Sequence, residues 1–483
     1  MKKQKLLIVI LILFLLGDTV YSFLQYYHIP LDGDIAGGVV PSPDVQQILN
    51  DPFGFHLLSS GEKHVNPNRF FSHYFFKGYM ENVPLWLQSI TDPITSVYLA
   101  CALLKIFIHL LVLFILAALI SGTKKLWDKN FLLSAALIVP FIQANGYWGH
   151  MGINDKATTY CFFYALPVVL MMLFLMPFYR IVFKEEKVHF GPLKSIILIL
   201  MAVVLPLTGP LNPAIALIVS ALTGIHYLLK YSKTSGSHNS LLSSLSKIPG
   251  QIYLFLGLIC LFSLYSLFLG KYDSNYTSET IPVAERYLKL PLGIYYQISQ
   301  SLGVPLLLII IGINVYLIQK KFASTEGMKI INTLKWIGIF AAIYLLLLPL
   351  GGYRPYRPNI LRYDTFMPIT IALLYFYGHS TYFLIKNMEL STRKIYSIGL
   401  LAIFAIFMNS DKLKTKEYAC ERKALEYLAG SPDEVTLLPT QCNVMSWEPF
   451  SDPMLSENNA ILLKRWNITK EKKLYYHSTD KKE

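Results

Sequence analysis

Long uninterrupted apolar stretches recur along this chain, and several reach the roughly 20 helical residues needed to cross a hydrocarbon core. Inside lipid every backbone polar group must be satisfied within its own segment, so runs of this kind fold as helices. Of 483 residues, 54% are hydrophobic and only 15% charged, whereas a soluble domain carries about a quarter charged residues. The expected fold class is an all-α polytopic membrane protein. A net charge of +13 would suit a nucleic-acid binder, but the lysines and arginines gather in short loops between apolar runs, which is a membrane-topology signal. Nucleic acid is therefore not expected as a partner.

Hydropathy and Lys/Arg bias together predict about eleven transmembrane helices. The first covers Leu6–Tyr27, behind Lys2, Lys3 and Lys5; the second Ile94–Ile120; the eighth Leu292–Ile318; the tenth Phe366–Ile385; and the last Ile395–Met408. Alternation puts the basic loops on one side, the cytoplasmic one, together with the N-terminus. The opposite side receives a large first extracytoplasmic loop (28–92), a medium loop near Lys271–Pro291, shorter loops at Gln143–Lys156 and Gly351–Asp364, and the C-terminal segment. Residues 1–409 are read as the bundle and 410–483 as a small extracytoplasmic α/β appendage. Within the appendage, "EYACERKALEYLA" has helical spacing and "EVTLLPT" reads as a strand. "VYS" before Phe23 resembles a signal-peptidase site, but the apolar run continues to spanning length, so the first span is expected to be retained.

The five cysteines show no metal-binding spacing. Cys101, Cys161 and Cys260 fall in apolar runs. Cys420 and Cys442 lie in the appendage on the oxidising side, either as a disulfide or as two separate thiols.

The outer loops hold the chemistry. Asp32-Gly33-Asp34 follows the first span. It is either a plain Asp-Gly turn or a pair of carboxylates able to accept a proton or hold a divalent cation. The same loop contributes His28, His56, Arg69 and His73, and its stretch "FFSHYFFKGYMENVPLWLQSI" reads as an interfacial amphipathic segment or a folded cap. Asp155 and Lys156 stand before the fourth span, the lysine either anchoring at the interface or binding phosphate. In "GYRPYRPNILRYDTFMP", Arg354, Arg357 and Arg362 gather on the side where basic clusters are disfavoured. Arginine's planar fork suits phosphate oxygens; salt bridges or lipid headgroups are the alternative use.

This arrangement resembles the GT-C class of integral-membrane glycosyltransferases, which includes protein O-mannosyltransferases and lipid A aminoarabinose transferases. The residues carrying the resemblance are "LDGD" after the first span and the late basic loop "YRPYRPNILRYDTFMP". The resemblance covers most of the chain as a plan and about thirty residues as motif. It implies an inverting transfer of one sugar from a polyprenyl-phosphate donor to a hydroxyl of a glycan, lipid or protein acceptor, beside membrane lipids at the outer face of a bacterial inner membrane. It implies Asp34 and Asp32 as catalytic carboxylates, with Asp34 slightly favoured. Arg354, Arg357 and Arg362 would bind the lipid phosphate, with Lys156 assisting. Asp155, His28, His56, Arg69 and His73 would be acceptor or accessory residues. No cofactor is certain; a Mg or Mn ion at Asp34 is one option. The missing "WWD"-like motif argues against transfer of whole oligosaccharides to asparagine. Rival readings are a polysaccharide ligase or polymerase, a lipid-linked substrate transporter or flippase with Asp18 as its intramembrane charge, and a non-catalytic envelope scaffold.

Overall fold

The computed structural model describes residues 2–144, 151, 153–232, 248–275, 281–300, 302–351 and 359–478. Among them the chain is predominantly helical, and eight helices are long and apolar enough to cross a membrane. It is a multi-pass membrane protein.

Helix boundaries follow local chemistry. The first helix, α1 (Lys2–Tyr27), is apolar throughout its middle. Four short helices of the following segment come next: α2 (Ile35–Val39), α3 (Pro43–Asn50), α4 (Phe55–Ser60) and α5 (Phe70–Leu87). Ser42 caps α3 through its side chain, with Pro43 at the first helical position. The long α6 (Pro93–Ser121) starts on the Asp92 cap and Pro93, and stops at Gly122, whose φ of 74° is a conformation suited to glycine. Asp128 caps α7 (Lys129–Ile138). Next comes α8, spanning Thr158–Val182 and including a π turn at Cys161–Ala165. The further helices of the bundle are α9 (Pro192–Val204), α10 (Asn212–Ser232), α11 (Gly250–Leu269), α13 (Gly303–Lys321), α14 (Thr325–Leu347), α15 (Tyr363–Asn387) and α16 (Leu390–Ser410).

One expected span divides. The stretch Leu292–Ile318 belongs to two helices, α12 (Val283–Ser299) and α13. Pro305 lies in the first turn of α13, where its missing N–H costs nothing but where it cannot continue a helix arriving from upstream. The apolar helices Lys129–Phe141 and Pro192–Leu207 are shorter than a full span, and α15 has 25 residues but a mixed composition.

Packing fixes the direction of the first helices. Leu11 of α1 packs with Leu132 and Ala136 of α7, while Tyr26 packs with Ala102, Ile106 and Ala144. The lysine-led start of α1 therefore lies at the same end of the bundle as Lys124, Lys125 and Lys129. The α5 helix buries Phe76 and Met80 and exposes Tyr74, Phe75 and Trp86. Its buried face rests on α2 and on Phe162 and Phe163 at the start of α8.

After α16 the chain forms α17 (Lys416–Gly430), strand β1 (Val435–Leu438), α18 (Glu457–Arg465) and strand β2 (Leu474–His477). The strands pair in parallel, Val435 opposite Leu474. A disulfide joins Cys420 to Cys442, Cα atoms 6.1 Å apart. This segment is tied to α5: the fully buried Trp466 donates its indole N–H to the Met80 carbonyl at 2.8 Å, and Arg465 pairs with Glu81 at 2.6 Å.

Candidate functional site

The first turn of α8 begins after Ala157, a residue with no side-chain oxygen to cap it. Asp32 supplies the missing acceptor from a distant part of the chain. The Thr159 hydroxyl donates to Asp32 Oδ1 at 2.7 Å and the Thr159 backbone N–H donates to Oδ2 at 3.2 Å. A carboxylate at a helix N-terminus is favoured by the free N–H groups and the helix dipole. Asp34 N–H also donates to Asp32 Oδ1, at 3.2 Å. Asp32 is 6% exposed, and burial pushes its carboxyl above the usual range while the Thr159 bonds pull it back.

Asp34 has a different setting. It is half-buried at the head of α2 and makes no capping bond there. Its Oδ1 accepts the indole N–H of Trp447 at 3.0 Å. Gly33 makes this approach feasible: a Cβ there would lie 2.8 Å from both the Trp447 backbone nitrogen and its ring. The Asp-Gly-Asp stretch is therefore more than a free turn: one carboxylate is locked into the bundle and the other faces the C-terminal segment.

Glu421 of α17 pins that segment down. It is fully buried. Its Oε2 accepts from the Leu31 N–H and the Tyr98 hydroxyl, both at 2.8 Å, and its Oε1 accepts from the Met445 N–H at 2.9 Å. Burial pushes the Glu421 carboxyl up to about 7 against the pull of these three donors.

Lys105 stands behind the aspartates. It is fully buried in α6, and its ammonium donates to the Lys156 carbonyl. Its charge acts on both Asp32 and Asp155. Asp155 accepts the Ala157 N–H through Oδ1 at 2.8 Å, while its buried Oδ2 has no hydrogen-bond partner. Burial, with Asp364 and Asp32 nearby, pushes the Asp155 carboxyl up to about 7. Asp364, 1% exposed at the start of α15, is paired with Arg362. Carboxylates from three separate regions, Asp32, Asp155 and Asp364, thus share one electrostatic neighbourhood with the Lys105 ammonium.

The other sequence-derived candidates divide. Lys156 adjoins the cluster; burial lowers its pKa, and Lys414 and Glu417 of the C-terminal segment act on it. Arg354 and Arg357 lie outside the described residues. His28 bonds back to the Leu24 carbonyl at 2.7 Å and packs on Tyr27 and Tyr418. His56 is exposed on α4. His73 is buried edge-on to Phe163 with both ring nitrogens unpartnered, and burial with Arg69 nearby lowers it to about 3. Among the described residues, His28, His56, Arg69 and His73 share no hydrogen bond or ion pair with Asp32, Asp34 or Asp155. No group of three metal-binding side chains forms around Asp34 or elsewhere among the described residues.

Sequence reading missed Lys105, Thr159, Asp364, Glu421 and Trp447. Lys105 had a signal, as a lone lysine within a 29-residue helix of otherwise apolar character, where intramembrane charge marks function by default. The others reach the site only through long-range packing. No protein-family model, curated protein or solved structure matches the chain.

Proposed function

We propose that this protein is a GT-C-like glycosyltransferase of about eleven spans in a bacterial inner membrane, with its N-terminus cytoplasmic and its C-terminal segment outside. It moves one sugar from a polyprenyl phosphate to an acceptor hydroxyl at the outer face. The observation that carries the reading is the division of labour between the two aspartates: Asp32 is immobilised by Thr159, and Asp34 is left half-buried two residues away.

In the proposed reaction the acceptor oxygen attacks the anomeric carbon as the bond from that carbon to the phosphate oxygen breaks. The phosphate leaves with the bonding electron pair, and the anomeric configuration inverts. Asp34 takes the hydroxyl proton, a contribution worth about 10²–10⁴-fold in rate. Asp32 positions Asp34 rather than touching substrate. Arg362, with Arg354 and Arg357, stabilises the departing phosphate through charge-assisted hydrogen bonds.

The test is deletion of the gene, complemented by wild type or Asp34→Asn at matched expression, with envelope glycans and polyprenyl-linked sugars measured by mass spectrometry. The reading expects one sugar to vanish from a glycoconjugate while its lipid-linked donor accumulates, with Asp34→Asn behaving like the deletion. A wild-type profile in the Asp34→Asn strain would reject it.

One observation favours a transporter as a second reading. Asp18 lies 3.9 Å from His109 Nε2; His109 Nδ1 is 3.2 Å from the Tyr26 hydroxyl, and Asn154 donates to that hydroxyl at 2.9 Å. Buried polar chains of this kind line ion paths in transporters. Under that reading, Asp18→Asn abolishes function while Asp34→Asn does not.

A further inference from the structure

A second site lies at the lysine-rich end of the bundle, away from Asp32. Lys105 and Thr159 stand at the aspartate cluster, and the far ends of their helices, Ser121 of α6 and Arg180 of α8, meet at this other end. A polar cavity of about 270 Å³ opens between them and α15, lined by Arg180, Lys184, His379 and Lys386 together with Glu186 and Glu326. The charges are not evenly matched. Arg180 is neutralised by Glu186, its Nε donating at 2.7 Å. Lys184 is half-buried, and its Nζ lies 3.1 Å from His379 Nε2. Lys386 lies over the Tyr382 ring at 4.5 Å. Among the described residues neither lysine makes a hydrogen bond or ion pair to a carboxylate, although Glu186 and Glu326 on the same wall act on the Lys184 charge. Lysines at a membrane boundary ordinarily extend into water. Lys184 instead turns inward, towards a histidine whose own Nδ1 is buried and unpartnered.

An apolar cavity of about 250 Å³ lies next to the polar one, within the membrane part of the bundle. Leu119 lines both cavities. Tyr375, on the apolar wall, stacks on His379 at 5.6 Å between centroids and bonds to the Tyr179 hydroxyl at 2.5 Å. The rest of the apolar wall includes Met171, Met172 and Trp336. The apolar cavity is half open rather than enclosed, and its walls offer water almost no hydrogen-bond partners. A half-open apolar cleft of this size in a bilayer suits hydrocarbon. Two lysines beside it, neither bonded to a carboxylate, suit phosphate oxygens.

We propose that these adjoining cavities form a binding site for a phosphate-bearing lipid of the leaflet at the lysine-rich end. The phosphate sits between Lys184 and Lys386, and one hydrocarbon chain enters the apolar cavity. The site is separate from the aspartate cluster, and the proposal stands whether or not the chain transfers sugars.

The test uses the full chain purified in detergent, with phosphatidylglycerol binding followed by native mass spectrometry. Three forms are compared: wild type, Lys184→Gln with Lys386→Gln, and Ala372→Phe, which fills the apolar cavity at one of its lining residues. Loss of two charge-assisted contacts should weaken phosphatidylglycerol binding about tenfold or more, Ala372→Phe should weaken it as well, and the Lys184→Arg with Lys386→Arg pair should restore it. If the glutamine pair does not fold, the Ala372→Phe arm alone decides. Unchanged lipid binding in the folded variants overturns the proposal. So does displacement of the lipid by inorganic phosphate with no effect of Ala372→Phe, since that pattern describes a free-anion site.

Discussion

Thr159 holds both oxygens of Asp32, its hydroxyl at 2.7 Å and its backbone N–H at 3.2 Å, although 127 positions separate the two residues. The pair fastens the segment leaving the first helix to the N-terminus of α8, and so fixes where Asp34 stands. Thr159→Val removes the hydroxyl bond and keeps the backbone bond. It should lower stability by about 1–3 kcal/mol, the range for a buried acceptor left without its hydrogen bond. Thermal unfolding in detergent reads this directly. If Asp32 acts by positioning, Thr159→Val also reduces sugar transfer, without the complete loss expected for Asp34→Asn.

Gly33 gives a sharper geometric test. A methyl group there would meet the Trp447 backbone nitrogen at 2.8 Å and the Ser446 carbonyl carbon at 3.0 Å. Backbone yields less readily than a side-chain tip, so Gly33→Ala should push the Trp447 loop off Asp34 at a cost of about 1–3 kcal/mol, typical of overpacking. Gly37 has nothing within 4 Å of its would-be methyl, so Gly37→Ala serves as the control. Trp447 fluorescence, read against a Trp447→Phe background, should change in Gly33→Ala and not in Gly37→Ala.

The apolar runs were legible because hydropathy is local: each helix carries its own membrane-crossing composition, and caps such as Asp92-Pro93 and Asp128 mark where it starts. The Asp-Gly-Asp stretch was visible as chemistry for the same reason. Its partners were not. Glu421 and Trp447 arrive from 390 and 413 positions away, and no local pattern announces such a contact. Lys105 is a different kind of miss. One lysine barely changes the hydropathy of a long apolar run, so a scan for spans passes over the residue that buried charge should have singled out. The break between α12 and α13 was hidden likewise, because both flanks are apolar and only Pro305 hints at it.

The disulfide links the appendage to the site. Cys420 precedes Glu421 by one residue and Cys442 precedes Met445 by three, so the bridge braces the same strut that holds Leu31. Closing a loop with a sequence separation of 22 constrains the unfolded chain by about 3 kcal/mol in the chain-entropy account. Cys420→Ser with Cys442→Ser should lower the melting temperature and quicken proteolysis after Asp411, while the membrane helices persist in circular dichroism. Equal protease resistance in the variant and the wild type would show that the bridge contributes little.

Buried carboxyls make stability depend on pH. Asp155 and Glu421 are both pushed up to about 7, mainly by burial. A carboxyl raised in the folded protein binds its proton more tightly there than in the unfolded chain, so its contribution is whole below about pH 4, the unfolded value. It is lost as pH rises through about 7, where each folded carboxyl must ionise in a buried place. Stability should therefore fall between about pH 4 and pH 7, by on the order of 2–4 kcal/mol per carboxyl. Asp155→Asn isolates one contribution: it keeps the acceptor for the Ala157 N–H and replaces an oxygen that has no partner. Melting temperatures from pH 4.5 to 8 should show a shallower decline in Asp155→Asn than in wild type, with the curves meeting at the acidic end. Parallel curves would mean that Asp155 is already ionised at low pH, held so by the Lys105 ammonium, and that the carboxylate is available as a base throughout.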